Sequence, residues 1–239
     1  MKILVTILSI CVLVVSSFNI FGILDSLKFE EVQKTNLLSY SDYVGKQKEI
    51  EKQELSLEIS KYIEGKNPLY IDGIVVVNKD YCVPKDYISY QEDEANKAFE
   101  TMKKDASEEG ITLNIRSGHR SYNSQVGLFN KYAQKDGSQE ANTYSAKPGH
   151  SEHQTGLAFD ITNKNTNKAP GDWFDNTPES KWLYKNAHKY GFILRYPEGK
   201  QHITGYIYES WHYRYIGPEH SKNFNMNNLT LEEYLDMNK

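Results

Sequence analysis

Hydrophobic spacing divides the chain into three stretches. After Met1-Lys2, the positions from Ile3 to Leu24 are apolar almost without a break, relieved only by Ser, Thr, Asn and Gly. A helix of that length spans a hydrocarbon layer of about 30 Å. A cleaved signal peptide has a shorter apolar core and a small-x-small exit. Ser16-Ser17-Phe18 is a poor exit, and the run resumes through Ile20 to Leu24. Ile10, ahead of Cys11, is the wrong size for a lipoprotein cleavage site. Residues 1–24 are therefore expected to be an uncleaved single-pass anchor, with secretion after cleavage as the alternative. Lys2 is the only charge ahead of the run, which favours a cytoplasmic N-terminus and an exterior position for everything after Leu24.

Residues 25–68 are charged and polar, with Leu55, Leu57, Ile59 and Ile63 widely spaced. A helix is predicted over 49–64, stopped by Gly65-Lys66-Asn67-Pro68. The stretch reads as a stalk or solvated linker. From Leu69 to the end the pattern is that of a folded domain. Ile74 to Val77 is short and β-branched, so a strand. Helical spacing runs from Tyr90 to Glu109 through Ala95, Ala98, Phe99 and Met102, and Gly110 ends it. Ile111 to Ile115 alternates as a second strand and leads into a turn at Arg116 to Arg120. Ser121 caps a helix that carries Val126, Leu128, Phe129 and Tyr132 and ends near Asp136-Gly137.

Gly156 to Thr162 is predicted as a third strand, with Gly156, Ala158 and Asp160 on one face and Leu157, Phe159 and Ile161 on the other. The first face is small around a carboxylate and leaves room for a ligand. A polar loop follows from Asn163 to Asn176. Thr177-Pro178 then opens a helix to Tyr190, with Gly191 as its stop. Phe192 to Leu194 and Tyr206 to Tyr215 complete about five strands. Strands and helices alternate without βαβ regularity, so the expected fold is a single α+β domain with an antiparallel sheet and packed helices.

A formal charge of −4 without a long basic run argues against nucleic acid as a partner. Only Cys82 lies beyond the apolar run, so no disulfide staples the exterior portion, which must rest on its own core. A monomer is expected.

Candidate chemistry concentrates in Ser151-Glu-His-Gln-Thr-Gly-Leu-Ala-Phe-Asp160 and Glu209-Ser-Trp-His212. His153, Asp160 and His212 form a plausible catalytic zinc set with a fourth position open for water, and Glu209 is the candidate proton acceptor. Glu209 and His212 would face opposite ways on an ideal strand, so the chain must bend or bulge there. His150 is a possible competitor for the metal, while His188, His202 and His220 read as surface residues. Trp211 and Tyr213 read as wall and core. A Ser151-based triad with His153 or His212 is the weaker hydrolase alternative, since no Gly-x-Ser-x-Gly elbow is present. A zinc-holding, non-catalytic cell-wall-binding or sensor module is the alternative from another class.

Ser151-x-His153-x-x-Gly156-x-Ala158-x-Asp160 followed by Glu209-x-x-His212 resembles the zinc D-alanyl-D-alanine carboxypeptidases of the VanY type. Ser117-Gly-His-Arg120-Ser121-x-x-x-Gln125 is similar to an upstream segment of that family, with His119 in place of its common Tyr. Val77-Asn-Lys-Asp80 and Pro84-Lys-Asp-Tyr87 resemble its domain opening. The resemblance implies zinc ligands at His153, Asp160 and His212 and a catalytic base at Glu209. It also implies that Arg120 polarises the scissile carbonyl, and that Ser151, Gln125 and Ser121 hold the peptide end. The implied substrates are peptidoglycan stem peptides ending in D-alanine, with a contribution to glycopeptide resistance through loss of that terminus. An L,D-carboxypeptidase on tetrapeptide stems and a phage-type endopeptidase share the same residues and stay open.

Overall fold

The computed structural model describes residues 44–49, 67–164, 171–224 and 229–237. The chain divides into two units, residues 1–57 and 58–239. The first contributes a helical stretch at 44–49; the apolar run at 1–24 and nearly all of the helix predicted over 49–64 lie outside the described residues. No described helix is long and apolar enough to cross a membrane.

The second unit opens on a hairpin of β1 (Leu69–Ile71) and β2 (Ile74–Val76), paired antiparallel. Its two-residue turn, Asp72-Gly73, takes φ values of 50° and 77°, the positive pair that a tight hairpin turn demands. Hydrophobic spacing predicts only the second strand, although Asp-Gly between apolar runs is itself a hairpin signal. The helix expected next is α1 (Glu92–Glu108), and its inward stripe is Ala95, Phe99, Met102 and Ala106. That spacing of four, three and four residues keeps one face on the core.

The main sheet has four antiparallel strands, β3 (Asn114–Ser117), β4 (Ala158–Thr162), β5 (Phe192–Leu194) and β6 (His212–Tyr215), in the order β3-β4-β6-β5. The α+β class with an antiparallel sheet is as expected, while several strand bounds move. β3 starts three residues later than predicted, because pairing begins at Asn114 opposite Thr162, and a register shift between Ile115 and Ser117 carries it into the expected turn. Tyr206 to Trp211 is not strand. There the N–H groups of Ile207 and Glu209 donate to the carbonyls of Thr143 and Tyr196, and the His212 N–H donates to the Glu209 carbonyl at 3.2 Å. A backbone committed to those partners cannot join a ladder, so the anticipated bend falls just ahead of β6.

Gly156 is not on the strand either. It caps a 3₁₀ turn at Glu152–Thr155 in the left-handed region, with φ 76°. A Cβ there would lie 2.7 Å from Glu92 Cγ. The space beside Gly156 is thus filled by Glu92 and does not form part of a cleft, as the strand reading had it.

Around the sheet lie α2 (Tyr122–Asp136), α3 (Ser138–Tyr144), α4 (Pro178–Asn186), α5 (Gln201–Thr204), α6 (Pro218–Phe224) and α7 (Leu231–Tyr234). Both predicted caps form: Ser121 Oγ accepts from the Ser124 N–H and Thr177 Oγ1 from the Ser180 N–H. A 3₁₀ turn at Ala187–Tyr190 extends α4 to the predicted stop at Gly191, where φ is 92°. The helices α3, α5, α6 and α7 are too short to show a period and escape the pattern reading.

Phe159 and Ile161 turn from β4 into the core beside Leu157. Phe99 stacks on Phe159 at 5.8 Å, Phe159 meets Phe192 at 5.6 Å, and Phe192 meets Tyr215 at 5.2 Å. This aromatic row ties α1 to three strands and braces β4 from behind. Phe159→Ala should lower the free energy of unfolding by about 3–5 kcal/mol, the range for emptying a packed aromatic site; urea denaturation followed by fluorescence measures it.

Candidate metal centre and cleft

Strand register builds the centre. Asp160 on β4 stands opposite Ser117 on β3 and opposite His212 on β6. Side chains in register across neighbouring antiparallel strands are within reach of one another. His153 comes from the 3₁₀ turn ahead of β4, and Glu209 from the turn ahead of β6. His153 Nε2 and His212 Nδ1 both lie 3.3 Å from Asp160 Oδ1. Ligand atoms of these three residues all fall within 4.8 Å of one another, and they form the one such metal-capable group found among the described residues. Two donors held about 2.0–2.1 Å from one tetrahedral ion stand about 3.3 Å apart, so the observed spacing fits zinc.

The remaining ring atoms are also disposed for a metal. His153 Nδ1 contacts the Gly118 carbonyl at 2.8 Å, and His212 Nε2 faces Glu152 Oε2 at 3.4 Å. Each imidazole therefore has one nitrogen engaged by the protein and the other turned toward Asp160. Asp160 Oδ1 is buried without a hydrogen-bond partner, the condition of an acceptor that awaits a cation.

Burial opposes ionisation of Asp160, yet the flanking imidazoles hold its carboxyl well below the usual carboxylate range. Burial also works against a charged His212 ring, but contacts with Asp160 and Glu152 outweigh it and lift the ring to about 9. His153 is held below its ordinary value, chiefly by burial. Glu209 Oε2 is 3.5 Å from His212 Nδ1, and burial pushes this carboxyl up to about 8 against the pull of His212.

Arg120 borders the group through Nη2, 3.7 Å from Asp160 Oδ2. Its guanidinium is fixed from behind, Nη1 donating to Gln125 Oε1 at 3.0 Å and Nη2 to Ser117 Oγ at 2.8 Å. Gln125 is fully buried and donates to the Ala146 carbonyl at 2.6 Å, so it anchors Arg120. Ser121 is exposed, and its hydroxyl serves the α2 cap. Ser151 is buried on the cleft wall. His150 contacts the Asn78 carbonyl at 2.8 Å and stands outside the metal-capable group. His220 contacts Tyr234, and Tyr213 is core while Trp211 lines the cleft.

The cleft has a volume of about 350 Å³. Tyr132, Tyr144, Tyr196, Tyr206 and Trp211 line its walls above the floor of Arg120, Glu209 and the three candidate ligands. Tyr196 packs 4.7 Å from Tyr206 and 4.8 Å from the His212 ring. Lys79 lies 3.2 Å from the Tyr206 ring centre, and burial lowers its amine to about 8. Sequence reasoning missed these tyrosines, which are scattered over separate elements in a chain with 18 of them. It also missed Glu152, Arg195 and Arg214, whose side chains are fully buried. No spacing rule singles out a Glu between two residues already assigned.

The chain matches the VanY family, D-alanyl-D-alanine carboxypeptidase, over residues 89–218. YodJ of Bacillus subtilis is 40% identical over 182 residues, covering 68% of this chain and 67% of YodJ. Among solved structures, the LdcB LD-carboxypeptidase covers 72% of this chain and 94% of its own, at 37% identity and a TM-score of 0.64. The vancomycin resistance D,D-pentapeptidase VanY of a VanB-type cassette, in complex with Zn(II), covers 67% of this chain and 97% of its own, at 29% identity and a TM-score of 0.58.

Zinc at a hundred times its dissociation constant should stabilise the folded chain by about 2.7 kcal/mol. Asp160→Asn should abolish most of that gain, since the ligand set loses its anionic member. Thermal melts of both proteins with and without zinc provide the measurement.

Proposed function

The chain belongs to the VanY D-alanyl-D-alanine carboxypeptidase family, and from that premise we propose that it is a zinc carboxypeptidase releasing the terminal D-alanine of peptidoglycan stem peptides. The observation that carries this reading is the meeting of His153, Asp160 and His212 with Glu209 beside them on the floor of one cleft. A structural zinc site is closed by protein ligands and needs no free carboxyl next to it.

His153, Asp160 and His212 would hold the ion. Zinc, when bound, supplies Lewis-acid chemistry, lowering the pKa of a coordinated water and polarising a carbonyl. Glu209 takes the proton of the attacking water and hands it to the departing amine. A carboxyl that burial brings near neutrality suits a group that must both accept and return a proton. Arg120 offers a fixed positive charge to the developing oxyanion, and because Gln125 and Ser117 hold it in place, little reorganisation is needed at the moment of reaction. Ser151 presents a hydroxyl to the peptide end from the wall. Gln125 contributes through Arg120 and Ser121 through the α2 cap.

In our reading residues 1–24 anchor the chain, 25–68 form a stalk, and 69–239 work as a monomer on the outer face of the membrane. The long apolar run from Ile3 to Leu24, which carries no charged residue, supports it. Stem peptides would then lie within reach, and loss of D-Ala-D-Ala termini would lower sensitivity to glycopeptides.

Glu209→Gln should cut D-alanine release by about 10²–10⁴-fold, the usual worth of a positioned proton carrier, while leaving zinc content unchanged. Activity equal to wild type would remove Glu209 from the mechanism. A second reading, L,D-carboxypeptidase on tetrapeptide stems, is favoured by the greater likeness to LdcB, at 37% identity against 29% for VanY. Mass analysis of D-alanine released from pentapeptide and tetrapeptide stems separates the two. Release from the pentapeptide supports the D,D reading, and release from the tetrapeptide alone replaces it with the L,D one. Cleavage of neither would leave a zinc-holding binding module.

A further inference from the structure

Behind the candidate metal centre lies a fully buried charge cluster that the reaction does not touch. Glu152, adjacent in sequence to His153, has a fully buried side chain at the edge of the cleft. Its Oε1 accepts from Arg195 Nε at 2.8 Å and from Arg214 Nη1 at 2.8 Å. Its Oε2 is left facing His212 Nε2 at 3.4 Å, a long hydrogen bond. One oxygen is thus locked by two guanidinium groups while the other points at a candidate metal ligand.

Both arginines are themselves tied down. Arg214 is two residues beyond His212 on β6, hence on the same face of the strand, and its Nη2 donates to the Val75 carbonyl at 2.7 Å. Arg195 follows β5, and its backbone N–H donates to the His212 carbonyl at 3.1 Å. Its outer nitrogens grip Glu232 as a fork, Nη1 to Oε2 at 2.9 Å and Nη2 to Oε1 at 2.6 Å. Asn78 Nδ2 adds a further donor to Glu232 Oε1 at 3.1 Å. Two carboxylates and two guanidinium groups balance, so the cluster is buried without a net charge of its own.

We infer that Glu152 is a positioning residue for the metal ligand His212, and that Glu232 on α7 holds it in that role through Arg195. The inference rests on the reading of His153, Asp160 and His212 as zinc ligands. In the zinc-loaded protein an acceptor facing Nε2 keeps the ring proton on that nitrogen, which leaves the Nδ1 lone pair for the ion. The same contact fixes the rotation of the ring. Asn78 and Glu232 both lie outside residues 89–218, the span of the family match. The chain's C-terminal turn is therefore part of the support of its metal centre, with the capping box of Thr230 and Glu233 fixing the helix that carries Glu232.

The test begins with the unmodified protein loaded with zinc. Histidine ¹⁵N NMR should show His212 metallated at Nδ1 with a slowly exchanging proton on Nε2; metallation at Nε2 would overturn the proposal. Zinc affinity is then measured by competition with a chromophoric chelator. Glu152→Gln should weaken it about 10–100-fold, the effect of losing a partner behind a metal-bound imidazole. Glu232→Gln should weaken it in the same direction by less, and should add little on the Glu152→Gln background because the two act on one ligand. A merely structural role would lower the melting temperature of the metal-free chain and leave zinc affinity alone, and that result overturns the inference. Should Glu152→Gln fail to fold, unchanged affinity in Glu232→Gln counts against the proposal and weakened affinity supports it. Failure of the wild-type chain to bind zinc at all would instead remove the metal reading on which the inference stands.

Discussion

The pairing of Asp160 with His212 across β4 and β6 is the constraint on which the rest depends. Side chains alternate along a strand, so a slip of one residue would turn Asp160 into the aromatic core and bring Phe159 to the cleft. Phe159 prevents that slip, because its ring is gripped between Phe99 and Phe192. Hydrophobic packing on one face of β4 thereby sets the electrostatics of the other. The two turns that deliver His153 and Glu209 need only reach toward a carboxylate whose position the core has already decided.

That division explains what could be read from the residues alone. His153, Asp160, Glu209 and His212 were recoverable because the chemistry of a metal site demands particular residue types, and two short segments hold all four. The α1 stripe and the capped starts of α2 and α4 were recoverable because each is a local pattern with a local cause. Strand ends were not. β3 begins opposite the last residue of β4, nearly fifty residues on in sequence, and β6 starts only where the turn at Glu209, held by Thr143 and Tyr196, releases the chain. Gly156 shows the same limit in miniature. Its small size has a reason, but that reason is Glu92 on a helix far upstream.

The cleft floor and the cluster behind it differ in how they handle charge. On the floor, Asp160 Oδ1 has no hydrogen-bond partner and Glu209 is burdened by burial, an arrangement that is uncomfortable without a cation. Behind it, Glu152 is satisfied twice over by Arg195 and Arg214. Breaking such a buried set by removing one member is strongly destabilising, whereas its intact form contributes little net stability. A balanced cluster of that kind is better understood as a rigid mount than as a source of stability. His212 sits between the two regions, one ring nitrogen in each.

In the proposed mechanism the preference between D,D and L,D cleavage does not come from that floor. Both reactions release the same D-alanine, so the departing carboxylate, the scissile carbonyl and the proton path to the amine make the same demands on Arg120, Glu209 and the three candidate ligands. The substrates differ in the configuration of the residue that donates the carbonyl, and in the length of stem on its far side. Beyond the floor, the cleft offers those atoms its walls. Tyr132 and Tyr144 stand on α2 and α3, and they meet edge to face at 5.2 Å. Tyr196 and Tyr206 stand on the loops flanking α5, and Lys79 backs the second of them. Walls carried on helices and loops outside the sheet can be reshaped without disturbing the register that holds Asp160 opposite His212. In the proposed reading selectivity rests with the wall tyrosines, and the chemistry with the sheet and the turns that lead into it.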